Sequence, residues 1–324
     1  MTDRPTPSSE PLPLRPKRHS RWDDVLFAVL VGIGGVAVLA LVVAILGILA
    51  YQSADSFHTF GFGFLTGTRW DVRSNLFGVL PFVAGTLITS AIALLIGVPL
   101  ALGAAIFLTT QAPTWMRGPV GTVIELLAAI PSVVYGFWGL FILAPYMRST
   151  VEPALQQYLG WTGAFSGTAS GSDVLTAGVI LAIMVIPTIS AISRETLAAV
   201  PISQREAALS LGATNWETSR VAIIPYARSG IFGAVVLGLG RALGETMAVT
   251  MTIGNRDAVP TSLLSQGQSI ASLIANELTN NNGPLQYSAI IEAGLILLLI
   301  SLVVNAGARV MLWRLLRTVG GALG

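Results

Sequence analysis

The sequence predicts an all-α protein that crosses a membrane six times. Its 324 residues have a mean hydropathy of +0.74, with 53% hydrophobic and only 10% charged residues. This composition is typical of an integral membrane protein. A helix needs about 20 apolar residues to cross the hydrocarbon layer. Six apolar runs meet this length, at about residues 25–50, 85–108, 120–145, 174–193, 229–253 and 286–308.

The first apolar run, at residues 25–50, is too long for the core of a secretory signal peptide, which has about 7 to 15 residues. We therefore expect it to remain as the first span. Residues 1–24 are rich in proline, serine and basic residues, and they are predicted to form a disordered tail. Residues 25–317 are then the transmembrane domain, and residues 318–324 form a short C-terminal end.

The basic residues decide the orientation. Six spans place both termini on one side of the membrane. If that side is the inner one, thirteen lysine and arginine residues lie inside and four outside, while Arg241 lies within a span. This distribution satisfies the positive-inside rule. Both termini and the polar segment 201–228 are therefore predicted to be cytoplasmic.

The composition excludes several kinds of site. There is no cysteine, so disulfides and thiolate chemistry are excluded, and the two histidines lie outside the apolar runs. The only lysine, Lys17, lies in the proline-rich tail without the glycine-rich run of a P-loop. We therefore expect no catalytic activity, no cofactor bound by this chain and no nucleic-acid partner.

Three prolines fall inside predicted spans: Pro99, Pro131 and Pro187 lie in the second, third and fourth. Each removes a backbone donor and is expected to bend its helix. Bent spans suit a moving gate, and they equally suit static packing within a bundle. The sequence leaves both interpretations open.

The segment 201–228 is a long polar insert between two apolar runs. It carries two capping boxes, Ser203 with Glu206 and Thr214 with Glu217. Gly212 lies between them, where a left-handed helix end would fall, and Pro225 is expected to stop the second helix. This pattern predicts a short helix, a glycine turn and a second short helix. It fits a surface corner with structural glutamates as well as it fits a docking site.

Two charges lie inside the fifth apolar run. Arg241 is about 18 Å into a hydrocarbon core about 30 Å thick, and Glu245 is expected one turn further along the same helix face. Such charges mark a transport pathway unless they only neutralise each other as an intrahelical ion pair. A guanidinium suits an oxyanion. A neighbouring carboxylate accepts a hydrogen bond from an anion that still carries a proton, as phosphate does near neutral pH and sulfate does not.

The remaining charges near the spans receive structural interpretations. Glu125, just past the inner boundary of the third span, is expected to pair with a basic residue of the segment 201–228. Arg194 and Glu195 are expected to form an interfacial pair at the inner end of the fourth span. Glu292 is expected to reach the outer interface.

Two predicted outer segments have recognisable features. Residues 51–81 contain many aromatic side chains among glycines, which predicts an interfacial aromatic belt or, alternatively, a docking surface for an external protein. The aromatic residues are Phe57, Phe60, Phe62, Phe64, Trp70 and Phe77. Within residues 254–285, the apolar stretch 270–278 predicts a short helix across the outer mouth.

The corner resembles the EAA loop of ABC importer permeases. Glu206, Ala207 and Ala208 are followed by Gly212 and then by Ile224 and Pro225 at the spacing of that loop. Ala222 and Ile224 differ from the residues that the family favours, but both positions stay apolar. In that family the loop lies in a groove of an ATPase subunit and transmits its closure to the spans. The resemblance therefore implies an ATPase contact at Glu206, Ala207, Ala208, Gly212 and Pro225.

A closer resemblance is to the phosphate-specific ABC permeases. Residues 240–249 resemble their signature, and residues 125–136 resemble their third-span motif. Residues 64–65, 70–71 and 77–78 resemble the first outer loop of the PstC-type subunit rather than that of its PstA-type partner. The resemblance implies a six-helix bundle of the type I ABC importer permease, or MetI-like, kind. It also implies that Arg241 and Glu245 are the transport-critical charged pair.

The resemblance implies the channel-forming subunit of an ATP-driven importer of inorganic phosphate in the bacterial plasma membrane. The implied partners, besides membrane lipid, are a second permease subunit of the PstA type, an ATPase dimer of the PstB type that uses ATP, and an extracytoplasmic phosphate-binding protein of the PstS type.

Two alternatives stay open at this point. One is a secondary anion carrier or channel that works without ATP through Arg241 and Glu245. The other is an ABC permease for another oxyanion, such as sulfate or molybdate. The polar insert at residues 201–228 favours the ATP-driven importer, because a self-sufficient carrier needs no docking corner.

Overall fold

The computed structural model describes residues 21–280 and 283–320. Most of the predicted disordered tail therefore lies outside the described residues. Residues 21–24 already belong to the first helix, so that helix begins before the predicted boundary. At the other terminus, the last helix continues to Gly320, and residues 321–324 of the predicted C-terminal end lie outside the described residues.

The described chain is almost entirely helical. Its first eight helices are α1 (Arg21–Gln52), α2 (Ala54–Phe60), α3 (Gly63–Thr66), α4 (Leu80–Ile106), α5 (Thr114–Ala129), α6 (Ser132–Trp138), α7 (Ala144–Tyr146) and α8 (Glu152–Leu159). The others are α9 (Val174–Ala198), α10 (Ile202–Ser210), α11 (Asn215–Thr218), α12 (Ile224–Leu243), α13 (Met247–Thr252), α14 (Ile270–Glu277) and α15 (Pro284–Gly320). Two short strands, β1 (Trp70–Asp71) and β2 (Leu76–Phe77), form an antiparallel hairpin.

The helices account for all six predicted spans. Five helical stretches are long and apolar enough to cross a membrane, and the bent pair formed by α5 and the helical segment from Ser132 to Thr162 supplies the sixth. The first stretch, within α1, is apolar on all sides and none of its hydrophobic window is buried in protein. A helix that is hydrophobic all round is suited to lipid. The predicted all-α transmembrane fold is thus confirmed.

Only one of the three prolines within the spans breaks its helix. α5 and α6 are separated at Ile130 and Pro131, and the two parts of this span meet at an angle of 92°. The backbone of both residues is extended, which is the conformation that proline imposes on itself and on the residue before it. α4 and α9 continue through Pro99 and Pro187.

The fifth predicted span is not one helix, so the prediction of a continuous helix over residues 229–253 was wrong. α12 ends at Leu243 and α13 begins at Met247. Gly244 closes α12 by donating its N–H to the Gly240 carbonyl at 3.3 Å. Glycine is a poor helix former, and it allows the chain to leave the helix here. The span is therefore broken at residues 244–246.

Helix α9 is the centre of the packed bundle, with most of its first five turns buried. It contacts α4 on one side and α12 on another. Three glycines permit these close approaches, because a Cβ atom at each would lie 2.6 to 2.8 Å from a branched side chain of the facing helix. The pairs are Gly97 with Val185, Gly178 with Ile92, and Gly238 with Ile189.

The outer aromatic segment does not form a simple interfacial belt. Phe64, Trp70 and Phe77 are buried and pack together in a second hydrophobic core, whereas Phe57 and Phe62 are exposed. The ring centres of Trp70 and Phe77 lie 4.8 Å apart. The same core includes residues of α14 and α15. Half of the predicted aromatic set thus fixes the β1–β2 hairpin to the bundle. The predicted short helix at residues 270–278 is confirmed as α14.

Replacing Gly85 with alanine is expected to disturb the contact between α4 and the loop before α14. A Cβ atom there would lie 2.1 Å from the backbone oxygen of Gln268, which cannot rotate away. We expect Gly85→Ala to destabilise the protein by about 1 to 3 kcal/mol, the usual cost of overpacking. Thermal unfolding in detergent measures the change.

Gly103, in the same helix, provides the matched control, because a Cβ atom there meets nothing within 4 Å. Gly103→Ala should leave the stability unchanged or raise it slightly, since alanine is the better helix former. Equal stability of the two variants would contradict the close contact at Gly85.

Candidate functional site

The break between α12 and α13 holds both charges that the sequence analysis placed in the fifth span. Arg241 lies in the last turn of α12, and Glu245 follows the end of that helix. The expectation that Glu245 continues the same helix face one turn further was therefore wrong. The helix ends between them, so their spacing is no longer the one that an α-helix imposes.

Arg241 forms no ion pair with Glu245. Within the described residues, the one ion pair with nitrogen and oxygen within 4.0 Å joins Arg194 and Glu125. The Arg241 Nε atom is buried, and no protein acceptor within the described part of the chain reaches it. These observations contradict the interpretation of Arg241 and Glu245 as a static intrahelical pair. The guanidinium keeps its donors for another acceptor.

Glu245 has a contact of its own at the start of α13. Its Oε1 atom accepts a hydrogen bond from the Ala248 backbone N–H at 3.3 Å. The first N–H groups of a helix have no partner within the helix, and the helix dipole favours a negative charge there. Glu245 thus stabilises the start of α13, which is the second half of the broken span. Its side chain is half-buried, and it follows Arg241 by four residues in the sequence.

The broken third span lies next to the broken fifth one. α6 packs against α13 at Gly136, where a Cβ atom would lie 2.6 Å from the Met251 sulfur. The Tyr135 hydroxyl donates to the Leu127 carbonyl at 2.8 Å and so ties α6 to α5 across the break. Tyr135 is also close enough to Arg241 to interact with its charge. Tyr135 lies in the 125–136 motif, but its side-chain contacts were not predicted from the sequence.

Two cavities border the break regions. One of about 290 Å³ is lined by apolar side chains and by Tyr135, and one of about 270 Å³ is lined by Gly244 and Thr246 together with α14 residues. Interrupted helices that meet inside a membrane are the arrangement with which transporters build binding sites. The Arg241 guanidinium, in the last turn of α12, has donors that could bind an oxyanion, although Arg241 lines neither cavity. No group of three or more His, Cys, Asp or Glu side chains within residues 21–280 and 283–320 could hold a metal ion.

The corner at residues 201–228 has the predicted helix, glycine turn and helix. Gly212 has φ of +85°, the left-handed conformation expected of it. The second capping box is confirmed: Thr214 N–H donates to Glu217 Oε2 at 2.8 Å, and Glu217 N–H donates to Thr214 Oγ1 at 3.3 Å. The first box was wrong. α10 begins at Ile202, directly after Pro201, so Ser203 already lies in the first turn and caps nothing.

Pro225 does not stop the second helix, which corrects another expectation. A π-turn at Ser219–Ile223 follows α11 and leads directly into α12. This turn shifts the hydrogen-bonding register, so Pro225 falls in the first turn of α12, where a missing N–H is tolerated. As a result, one helical stretch of 29 residues runs from Asn215 in the corner to Leu243, two residues beyond Arg241.

The residues assigned to the corner by resemblance are accessible. Glu206, Ala207, Gly212 and Pro225 are exposed and Ala208 is half-buried. Two further apolar side chains are exposed at the tip, Leu211 at 89% and Trp216 at 54%. Exposed apolar groups clustered on one surface are typical of a protein contact. The sequence analysis did not single out these two, although their apolar character within a polar insert was a usable signal.

The remaining predicted charges have different partners from those expected. Glu125 Oε1 accepts from Arg194 Nη2 at 2.5 Å, so its partner lies at the end of α9 and not in the segment 201–228. Arg194 therefore does not pair with Glu195. Glu292 does not reach the interface: it is 6% exposed and faces Ser56 of α2.

A buried pair of carboxyl groups escaped the sequence analysis. Glu152 and Asp173 are both 0% exposed and lie against each other. Glu152 accepts from the Gly171 N–H at 3.2 Å, and Asp173 accepts from the Thr176 N–H at 2.8 Å. Burial raises the pKa of the Asp173 carboxyl. Two ionised carboxylates in contact would repel each other, and this repulsion favours the protonated form of one of them. The pair fastens the outer loop to the start of α9.

The chain matches known transport proteins over most of its length. Residues 97–316 match the model of the family described as "binding-protein-dependent transport system inner membrane component". The phosphate transport system permease protein PstC of Pasteurella multocida is 46% identical over 92% of this chain and 94% of its own length. The PstC protein of Mesorhizobium japonicum is 44% identical over 92% of this chain and 89% of its own.

Solved structures share the fold at low identity. A bacterial ABC transporter involved in alginate import has a chain with a TM-score of 0.53 and 18% identity, covering 90% of this chain and 98% of that one. An inward-facing MetNI methionine ABC transporter gives a TM-score of 0.51 and 16% identity, covering 73% and 94%. These likenesses support the MetI-like permease fold.

Replacing Arg241 with methionine tests whether the guanidinium is structural. Because Arg241 has no carboxylate partner in the described chain, Arg241→Met should leave the thermal stability unchanged or raise it. Any increase in stability should not exceed about 2.5 to 3.5 kcal/mol, which is the cost of inserting one charged side chain at the centre of a membrane-spanning helix. Thermal unfolding of the purified chain measures it.

Arg194→Met provides the comparison, because it removes a charge that does have a partner. It should lower the stability by up to about 1 kcal/mol, the usual value of an exposed ion pair. A larger loss for Arg241→Met than for Arg194→Met would restore the structural interpretation of Arg241.

Proposed function

The chain belongs to the family of binding-protein-dependent transport system inner membrane components, and we propose that its cargo is inorganic phosphate. It is the membrane-spanning permease subunit of an ATP-driven phosphate importer, a multi-pass protein of the inner membrane. Relatives that match 92% of the chain are phosphate permeases. ATP hydrolysis belongs to a separate subunit, in agreement with the lack of a P-loop lysine.

The observation that carries the mechanism is the continuous helix between the corner and Arg241. The 29 residues from Asn215 to Leu243 form one stretch, about 43 Å long at 1.5 Å per residue. It ends at the break, and α13 beyond it packs against α6. A displacement of the corner therefore moves Arg241 as part of a rod, while Glu245 stays with α13. The relative position of the two charges changes with the corner.

Arg241 is the proposed anion-binding residue of the pathway. Its guanidinium offers several donors in one plane, which suits two oxygens of a tetrahedral anion. Glu245 is the proposed selectivity residue, because its carboxylate accepts a hydrogen bond from a protonated phosphate and repels the fully ionised sulfate. Neither residue needs to change protonation for this discrimination.

The proposed partners are assigned to two parts of the chain, the corner at residues 201–228 and the β1–β2 hairpin. The corner, with Glu206, Ala207, Ala208, Gly212 and Pro225, contacts an ATPase dimer of the PstB type on the cytoplasmic side, where both termini lie. The outer hairpin faces a phosphate-binding protein of the PstS type. A second permease of the PstA type completes the passage. No cofactor is bound by this chain, and ATP is used by the ATPase subunits.

Glu245→Gln tests the selectivity mechanism in the complete complex reconstituted into proteoliposomes. The glutamine side-chain oxygen still accepts from Ala248 N–H, so the variant should fold. It no longer presents a carboxylate, so the preference for phosphate over sulfate should fall by about tenfold, as for the loss of one charge-assisted hydrogen bond. Uptake of radiolabelled phosphate and sulfate measures the ratio.

Two further variants provide comparisons for the uptake measurements. Arg241→Gln should abolish uptake of both anions, and Asp55→Asn, at an exposed position on α2, should change neither. Unchanged uptake with unchanged selectivity in Glu245→Gln would remove Glu245 from the mechanism.

Glu206→Ala tests the coupling corner. In the assembled complex it should reduce the stimulation of ATPase activity by the phosphate-loaded binding protein by about tenfold, the loss typical of a central interface residue. Gln204→Ala is the control, since Gln204 is exposed on the opposite side of α10. If both variants behave like the unaltered complex, the corner is not the coupling surface.

Proteoliposomes that contain this chain without its partner subunits test the ATP-independent alternative. The chain alone, under a pH or sodium gradient, should take up no phosphate. Gradient-driven uptake by this chain without ATPase subunits would contradict the proposed function.

A further inference from the structure

A cavity of about 640 Å³ with several charged lining residues lies on the same side of the molecule as the corner. It opens between the π-turn that follows α4 (Phe107–Gln111), helix α5, the end of α9 and helix α10. Its lining includes three guanidinium groups, from Arg117, Arg194 and Arg205, and two carboxylates, from Glu125 and Glu195. The transport mechanism uses none of the three arginines. A volume between about 300 and 1,000 Å³ is typical of small-molecule sites.

Two of the three arginines, Arg117 and Arg194, are held by contacts, and all three keep free donors. Arg117 Nε donates to the Ala112 carbonyl at 2.8 Å, and its terminal nitrogens have no acceptor within the described protein. Arg194 uses Glu125, and its guanidinium lies across Gly121, where a Cβ atom would be 2.2 Å from Nη1. Arg205 is half-buried and pairs with no carboxylate in the described chain. The cavity therefore has an excess of positive charge.

One wall of the cavity is left open by a glycine. Gly118 of α5 lines the cavity, and a Cβ atom there meets nothing within 4 Å. A substitution at this position therefore meets no obstacle at its Cβ atom, and a larger side chain would occupy part of the cavity. Gly118 thus offers a way to fill the cavity while leaving its arginines in place.

We propose that this cavity binds a phosphate group, with Arg117, Arg194 and Arg205 as its donors. A phosphate group presents oxygens in several directions, which fits guanidinium groups from three separate helices better than the two oxygens of a carboxylate do. The group is either free inorganic phosphate or the headgroup of an anionic phospholipid. The proposal takes one point from the proposed function, namely the orientation of the chain in the membrane. This orientation places the cavity on the cytoplasmic side.

Occupation of the cavity links the corner to the membrane spans. Arg205 belongs to α10, whereas Arg117 and Arg194 belong to α5 and α9. A bound phosphate group therefore ties α10 to both helices and reduces its freedom to move. Binding is expected to appear as slower hydrogen exchange in α10, because local opening of that helix then requires release of the ligand.

The first experiment uses the full-length chain in nanodiscs of zwitterionic lipid. Inorganic phosphate is titrated against potassium chloride at equal ionic strength, and hydrogen exchange of residues 202–210 is followed. Phosphate should protect this helix. Arg205→Gln should weaken the apparent affinity by about tenfold, the effect of one lost hydrogen bond to a charged group. Gly118→Leu should remove the protection.

Matched controls separate the cavity from general effects. Arg220→Gln removes an exposed arginine of the same segment outside the cavity, and Gly103→Leu adds a side chain at an open glycine of α4. Both should keep the protection. Arg241→Gln should also keep it, although it loses transport, so a failure of the transport mechanism and a failure of this site give different results.

The second experiment identifies the source of the phosphate group. Nanodiscs containing phosphatidylglycerol, in a buffer free of phosphate, replace the titration. Protection by inorganic phosphate assigns the site to the free anion, and protection only with phosphatidylglycerol assigns it to lipid. Either result supports the proposal if Gly118→Leu and Arg205→Gln weaken it. The proposal is overturned if neither source protects α10, or if both variants are protected like the unaltered chain.

Discussion

A charged group inside a membrane span needs a partner, and Arg241 has no carboxylate partner within the described chain. This constraint organises the centre of the molecule. The helix that carries Arg241 ends two residues later, and Glu245, the nearest acidic residue in sequence, is bound to the start of the next helix. The break separates the two charges that a continuous helix would have paired. The break thus places a helix end with an unpaired guanidinium next in sequence to a helix start that holds its own carboxylate.

The packing around α9 gives this arrangement a firm frame. Glycines let α4 and α12 approach α9 so closely that a methyl group would not fit. On the other side of the break, α13 rests on α6 at Gly136. The molecule therefore combines one helix that reaches from the corner to the charged site with a second, short helix that packs against α6 as well as α9.

The sequence predicted the number of spans, the glycine turn of the corner and the second capping box, because each depends on local composition or on residues three apart. It did not predict the break at Gly244, because the average hydropathy of a segment does not depend on where its backbone hydrogen bonds end. The partner of Glu125 and the contact between Glu152 and Asp173 joined residues far apart in the chain. Phe64, Trp70 and Phe77 are aromatic, as are the residues of an interfacial belt, so their residue types did not reveal that they are buried. Only the fold distinguishes these cases.

The π-turn at Ser219–Ile223 has a geometric consequence for the charged site. Each residue of an α-helix rotates the chain by about 100°, so a turn with one extra residue changes the azimuth of everything that follows. The direction in which Arg241 points is thus set about 18 to 22 residues earlier in the chain, in the corner. A one-residue deletion in the corner would swing the guanidinium by more than a quarter of a circle while leaving every residue of the charged site unaltered.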